Sequence, residues 1–245
     1  MKRFVFAFSR CVGSGCPSKV HMWSLAALML VCSSVLPARA GYDPGLGYNV
    51  QELSTLGGNF SDATSINDSG TIVGNSAISD GSRHASLWQN GAISDLGTLG
   101  GSFGIANQIN NKGQIVGYST TATGSTDAFY YSNGRMVDLG TFGAKSSLAL
   151  SINNNGQIVG AYGTDVLSSP LNMHAFMFDI NTAHFLDLGT LGGSFSIAQS
   201  INDSGDIVGK SSLAGDIIYH AFQFSASTLT DLGTLIGSNG FRGCS

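Results

Sequence analysis

Pairs of adjacent apolar residues recur along this chain inside polar, glycine-rich surroundings. Each pair belongs to a segment of the form I-N-x-x-G-x-I-V-G, and copies begin at Ile66, Ile109, Ile152 and Ile201. Adjacent side chains point to opposite faces of a β-strand, so an Ile-Val pair predicts a strand buried on both faces. No segment after Ala40 keeps a 3.6-residue apolar period, and we therefore predict an all-β chain.

A second repeated segment, D-L-G-T-L-G-G or a near copy, alternates with the first. Its copies are spaced by 43, 43, 49 and 44 residues and begin at Glu52, Asp95, Asp138, Asp187 and Asp231. Repeats of this length are typical of arrays of supersecondary units. The spacing predicts a β-repeat domain over residues 41–237, with a fourth-strand copy at 48–53 and four complete units at 54–96, 97–139, 140–188 and 189–232.

Each unit is predicted to contain four short strands, which in the second unit cover 106–110, 114–119, 127–131 and 135–139. Asn-x-x-Gly between the first two strands is typical of a tight hairpin whose glycine is left-handed, and this glycine recurs as Gly70, Gly113, Gly156 and Gly205. Asn133-Gly134 is a second hairpin signal. Four strands per unit favour a β-propeller blade. A β-solenoid is the alternative architecture.

The two ends of the array do not predict a closed ring. Residues 48–53 and 229–232 are both fourth-strand copies, so they cannot fill one position in a four-blade ring. Residues 238–245 depart from the repeat as an irregular tail, which indicates a truncated array. We expect an open or loosely closed arc, whose exposed strand edges would favour self-association.

Residues 1–40 have the layout of a secretory signal peptide. Basic residues precede an apolar run of about 14 residues, and Ala38-Arg39-Ala40 provides small residues at a cleavage site. We predict export to the cell surface, the periplasm or the medium, with no stable membrane span after cleavage; a retained anchor is the alternative. Without this leader six basic and fifteen acidic residues remain, a formal net charge of −9. Such a charge opposes binding to nucleic acid.

The third predicted strand carries a motif that resembles a known family. The segments His84-Ala85-Ser86, His174-Ala175-Phe176 and His220-Ala221-Phe222 resemble the bacterial extracellular repeats named for the tripeptide His-Ala-Phe, the HAF repeats. The resemblance covers about residues 48–236. It departs at Asp127, which replaces the histidine of the second unit, and at Ser86. It implies export and a repeat architecture, and it implies no catalytic activity or cofactor.

The recurring histidine position is the strongest candidate for chemistry. Around the axis of a closed ring, the equivalent residues would bring three imidazoles and one carboxylate together as a metal site; they are His84, Asp127, His174 and His220. The interpretation that we favour is a structural role, in which each side chain bonds within or between units. The Asn/Asp turns superficially resemble calcium loops, but Lys112 lies in one of them, so we interpret them as turn-forming.

Residues outside the repeat are better candidates for binding, because loops on a rigid scaffold often carry function. Apolar residues lie in two of the segments between the second and third strands: Leu167, Leu171 and Met173 in one, and Ile217, Ile218 and Tyr219 in the other. They are interpreted as a contact patch or as a cover for a sheet edge. The sequence favours a secreted, non-enzymatic binding or structural module whose partner is an unknown protein or glycan. The alternative is a propeller lyase or hydrolase with a His/Asp site near the axis.

Overall fold

The computed structural model describes residues 41–43, 48–164 and 172–234. The predicted signal peptide at 1–40 and the irregular tail at 238–245 lie outside these residues. The described chain is all-β, as predicted, and its strands are β1 Gly41–Asp43, β2 Tyr48–Val50, β3 Ser61–Ile66, β4 Ile72–Ala77, β5 Arg83–Gln89, β6 Ala92–Gly97, β7 Gly100–Ile109, β8 Ile115–Thr121, β9 Thr126–Ser132, β10 Arg135–Gly140, β11 Ser146–Ile152, β12 Gln157–Gly163, β13 Met173–Asp179, β14 His184–Gly189, β15 Gly192–Ile201, β16 Ile207–Leu213, β17 Tyr219–Ser225 and β18 Thr228–Gly233.

Strands β3 to β18 form four antiparallel units of four strands each. Units 1, 2, 3 and 4 consist of β3–β6, β7–β10, β11–β14 and β15–β18, and strands that follow one another in a unit are hydrogen-bonded neighbours. In every unit the first strand contains a register shift two or three residues before the isoleucine that ends it. The repeat of four-stranded, propeller-like units is therefore confirmed.

The strand predicted at 48–53 is shorter in the structure. Strand β2 covers only Tyr48–Val50, and its partner is β1 in a two-stranded sheet. Residues 51–60 contain no strand. They run on to unit 1, where the backbone N–H of Leu56 donates to Ser76 Oγ at 2.9 Å.

The four units join in pairs and leave the array open. Parallel pairing of Arg83 with Phe103 joins units 1 and 2 into one eight-stranded sheet, and pairing of Met173 with Phe195 joins units 3 and 4. The first strands of consecutive units lie side by side. Among the described residues no strand of unit 4 pairs with a strand of unit 1. The arc is open.

The hydrophobic core lies between units. Each unit has a trailing face, which packs on the next unit, and a leading face, which packs on the previous one. At the junction of units 3 and 4, trailing residues Val159, Ala175 and Leu188 pack on leading residues Ile201 and Phe222. Equivalent clusters fill the other two junctions. In units 2 and 3, which have a neighbour on each side, the adjacent Ile and Val of the second strand are both buried for this reason, since each one faces a different neighbour.

The predicted left-handed glycines are confirmed. Gly70, Gly113, Gly156 and Gly205 have φ of +80°, +75°, +85° and +86°. In each turn the glycine N–H donates to the carbonyl of the asparagine three residues earlier. Within the described ranges no helix has the length and apolar character that a membrane span requires.

We expect Gly156→Val to lower the free energy of unfolding by about 2 kcal/mol or more, because a β-branched residue is strained at positive φ. A Cβ at this position would also lie 2.8 Å from Ile180 Cγ1. Gly113→Val is the matched control, since its Cβ would meet no atom within 4 Å and only the backbone strain of about 1–2 kcal/mol remains. Urea denaturation of both variants measures the difference. Equal losses would show that the Ile180 contact has no effect.

Candidate functional site

Three of the four candidate residues on the third strands are bonded to an aspartate of the same unit. His84 Nδ1 lies 3.0 and 2.9 Å from the two carboxylate oxygens of Asp95. The same contact joins His174 to Asp187 and His220 to Asp231, with shortest distances of 3.0 and 2.8 Å. The aspartates are those of the D-L-G segments, at the end of each fourth strand. The pair therefore ties the third strand to the end of the fourth.

The same aspartates also cap the turn that follows them. Asp95 Oδ1 accepts the backbone N–H of Gly97 at 2.7 Å, and Asp231 does the same for Gly233. The hydrogen bond with His220, followed by that from Gly233, holds the pKa of Asp231 below its ordinary value. Each carboxylate thus bonds an imidazole and a backbone amide inside its own unit.

The structure does not bring His84, Asp127, His174 and His220 together as a ring. They lie on the third strands, whereas the first strands are the equivalent strands that contact one another between units. A third strand is two strand spacings, about 10 Å, farther out. Nowhere in the described part of the chain do three His, Cys, Asp or Glu side chains form a group that could hold a metal ion.

Unit 2 breaks the His–Asp pattern with two carboxylates. Asp127 takes the place of the histidine and is only 7% exposed. Its Oδ1 is buried without a hydrogen-bond partner. Burial raises the pKa of Asp127, and the nearby charge of Asp138 raises it further. A carboxyl group is therefore held here in a position where the other units place a histidine that hydrogen-bonds the aspartate.

The Asn/Asp turns of the inner strands hold neighbouring units together. Asn110 Oδ1 accepts the backbone N–H groups of Lys112 and Gln114, both at 3.0 Å, which forms its own turn. Its Nδ2 donates to the carbonyl of Asn153, the equivalent residue of the next unit, at 2.9 Å. The same bonds run from Asn67 to Asn110 and from Asn153 to Asn202. We call this series the asparagine ladder.

A second series of bonds runs beside the ladder, one residue later. The backbone N–H of Asn111 donates to Asn154 Oδ1 at 3.0 Å, and that of Asn154 donates to Asp203 Oδ1 at 2.8 Å. The bond from Asn154 Nδ2 is the main reason that the pKa of Asp203 is lowered. These side chains therefore act between units, which the turn interpretation of the sequence did not foresee.

The inner turns of all four units surround one open depression. Its volume is about 360 Å³, and it is lined by isoleucine, asparagine and aspartate side chains, among them Asp68, Asn111, Asn154 and Asp203. Hydrogen-bonding groups from four units face a common space here. This is the part of the described structure where the repeat itself presents polar groups to a ligand.

The loop between β16 and β17 exposes apolar side chains. Ile217 is 87% exposed, and Ile218 and Tyr219 are about half exposed. The ring of Tyr219 contacts Phe195, with centroids 5.5 Å apart, so one end of the loop is fixed to the sheet. In the other predicted patch Met173 is buried, while Leu167 and Leu171 lie outside the described residues. Among the described residues of the two predicted patches, the apolar side chains at 217–219 are the exposed ones.

No known family model and no curated protein sequence matches this chain. Among solved structures, TolB from Acinetobacter baumannii is similar, with a TM-score of 0.51 and 14% sequence identity. The match covers 69% of this chain and 42% of TolB, so the chain spans less than half of TolB's length. The similarity establishes a β-propeller-like fold. It carries no information on activity.

We expect His174→Ala to lower the free energy of unfolding by about 0.5–1 kcal/mol, because it removes a partly exposed side-chain hydrogen bond to Asp187. His184→Ala is the control, since this exposed histidine lies outside the repeated position. Thermal melts measure the loss, and elemental analysis measures bound metal. Stoichiometric metal that disappears with His174 would overturn the structural interpretation.

We expect Asp127→Asn to stabilise the protein at pH 7 by about 1 kcal/mol. The raised pKa means that the folded state binds the proton of Asp127 more tightly than the unfolded chain does. The free energy of unfolding therefore falls as the pH rises from the unfolded-state pKa of 3.8 through the raised folded-state pKa. The variant has no group that titrates at this position, so its free energy of unfolding does not fall in this way. Melts at pH 7 and pH 3 test this, with exposed Asp62→Asn as control. A gain that is equally large at pH 3 would contradict it.

Proposed function

We propose that this protein is an exported, non-catalytic binding or structural module of the HAF-repeat type. The His-Ala-Phe segments and the predicted signal peptide support export and this relationship. The hydrogen bonds of the repeat support a structural use of its polar residues. The His–Asp pairs join strands within a unit, and the asparagine ladder joins one unit to the next.

The observation that carries the proposal is the exposed loop at 217–219. Counted back from the histidine position of the third strand, Ile217 and Ile218 correspond to Gly81 and Ser82 in unit 1 and to Gly124 and Ser125 in unit 2, which are all small residues. Unit 4 instead presents two isoleucines and a tyrosine to solvent. Apolar side chains that the repeat does not require, held on a rigid sheet, are typical of a recognition surface.

The neighbouring polar groups favour a ligand with hydroxyl groups, and we propose a glycan. Asp216 precedes the apolar loop and accepts hydrogen bonds from Ser212 Oγ and the Ser194 N–H, both at 2.6 Å. These bonds keep its pKa low, so it stays ionised three residues before Tyr219. An aromatic ring and a fixed carboxylate in one short segment offer a sugar a stacking surface and a hydrogen-bond acceptor.

An array of bacterial and host polysaccharides tests this function. We expect retention of the protein on at least one polysaccharide, and a loss of at least tenfold in affinity with Tyr219→Ala. Tyr131→Ala, a partly buried tyrosine of unit 2, is the control for general loss of an aromatic ring, and melts confirm that each variant is folded. An affinity that is unchanged by Tyr219→Ala would contradict the proposed surface. Release of new sugar ends would instead favour the lyase or hydrolase alternative.

A further inference from the structure

The trailing face of unit 4 exposes residues that are buried in every other unit. Val208 is 44% exposed, whereas the equivalent Val73, Val116 and Val159 are fully buried. Leu232 is 54% exposed, whereas Leu188 of unit 3 is 5% exposed. Ala221 is exposed as well, and its three equivalents are fully buried. This face is therefore one half of a junction of the kind that fills the rest of the array.

The leading face of unit 1 supplies the matching half. Ile66 is 52% exposed, but its equivalents Ile109, Ile152 and Ile201 are at most 7% exposed. Ala63 is exposed, whereas Ala106 is fully buried. At the three junctions that exist, these leading residues pack on the trailing Val and Ala of the previous unit.

From these two faces we propose that the protein associates head to tail. The trailing face of unit 4 in one copy docks on the leading face of unit 1 in a second copy. The contact repeats the internal junctions, so each partner uses a different surface. A contact of this heterologous kind either closes into a ring or extends into an open array.

The hydrogen-bonding groups on the two faces are complementary. Asn202 Nδ2 gives one hydrogen to Asp206 Oδ2 at 3.0 Å, and an amide has a second to give. Along the asparagine ladder that second hydrogen goes to the carbonyl of the next asparagine, which in a docked copy is Asn67. The backbone N–H of Ala175 donates to Ser196 Oγ at 2.7 Å. The equivalent groups at the new contact are the N–H of Ala221 and Ser61 Oγ.

One part of the unit 1 face is already occupied. Trp88 Nε1 donates to the carbonyl of Ser54 at 2.8 Å, so the segment 51–54 lies on the outer strands of this face. In the repeat, the segment 51–54 corresponds to the end of the fourth strand of a preceding unit. Docking therefore requires β18 of the first copy to displace this segment of the second copy, which has no strand pairing of its own.

The new contact differs from the internal junctions at one place. In the series beside the ladder, every junction contains at least one asparagine: Asn111 Nδ2 donates to Asp68, and Asn154 Nδ2 donates to Asp203. Head-to-tail docking places Asp203 next to Asp68 of the second copy. These two carboxylates repel each other, whereas the Asn–Asp pairs at the internal junctions form hydrogen bonds. The Asp203–Asp68 pair therefore weakens the association.

Variants of the two faces test the proposal by sedimentation velocity over a range of concentrations. We expect the unaltered protein to associate, and Val208→Asp and Ile66→Asp each to be monomeric. An equimolar mixture of the two variants should form 1:1 dimers, because one retains an intact leading face and the other an intact trailing face. Val137→Asp, at an exposed valine of unit 2, should associate as the unaltered protein does. A monomeric unaltered protein, or a mixture that stays monomeric, would overturn the head-to-tail contact.

Asp203→Asn tests the register of the contact. It removes the repulsion from Asp68 and adds an amide donor, so we expect the dissociation constant to fall at least threefold. Asp80→Asn, in a loop of unit 1, is the control and should leave it unchanged. An Asp203 variant with an unaltered or larger dissociation constant would show that the two copies do not continue the ladder.

Discussion

The array depends on one asparagine in each of units 1 to 3, which bonds both its own turn and the next unit. The side-chain oxygen of Asn153 accepts two backbone N–H groups of its own turn, and its Nδ2 reaches the carbonyl of Asn202. Aspartate can form such a turn, but it has no N–H to reach the next unit. The same side chain therefore fixes the hairpin and the position of the neighbouring unit, and asparagine meets both requirements at positions 67, 110 and 153.

Because the core lies between units, the burial of a side chain depends on whether its unit has a neighbour. The valine of the second strand is fully buried in units 1 to 3 and nearly half exposed in unit 4. Its sequence surroundings are the same in each case. Repeat arrays are stabilised by their interfaces, so cohesion here comes from three complete junctions, and each terminal unit keeps one face only partly covered.

The strands and turns could be predicted because both periods are visible in the chain. The Ile-Val pairs locate the second strands, and Asn-x-x-Gly locates the hairpins with left-handed glycines. The glycine after each Ile-Val pair has a reason that the sequence does not reveal. A Cβ on Gly117 would overlap the carbonyl oxygen of Ile105 and approach the Phe129 ring, and that closeness follows from the irregular register of the first strand.

The candidate site was only partly predictable. The sequence identified the repeated histidine, but its partner lies 11 or 13 residues later on another strand, and pairing them requires the register of that strand. The aspartate recurs in all four units and the histidine in three of them, which was the available signal. The ring hypothesis failed because it placed the third strands at the axis. Their distance from the axis depends on which strands meet between units, and a repeat motif does not contain that information.

Departures from the repeat separate two kinds of residue. Ser86 replaces the core phenylalanine in unit 1, where no complete unit precedes the leading face, and it donates instead to the carbonyl of His84. That change suits its surroundings. Asp127 lies in an interior unit with neighbours on both sides, and its surroundings favour a histidine beside Asp138. A buried carboxyl with an unpartnered oxygen reduces stability there. Among the described departures, this is the one for which the packing of the array supplies no reason.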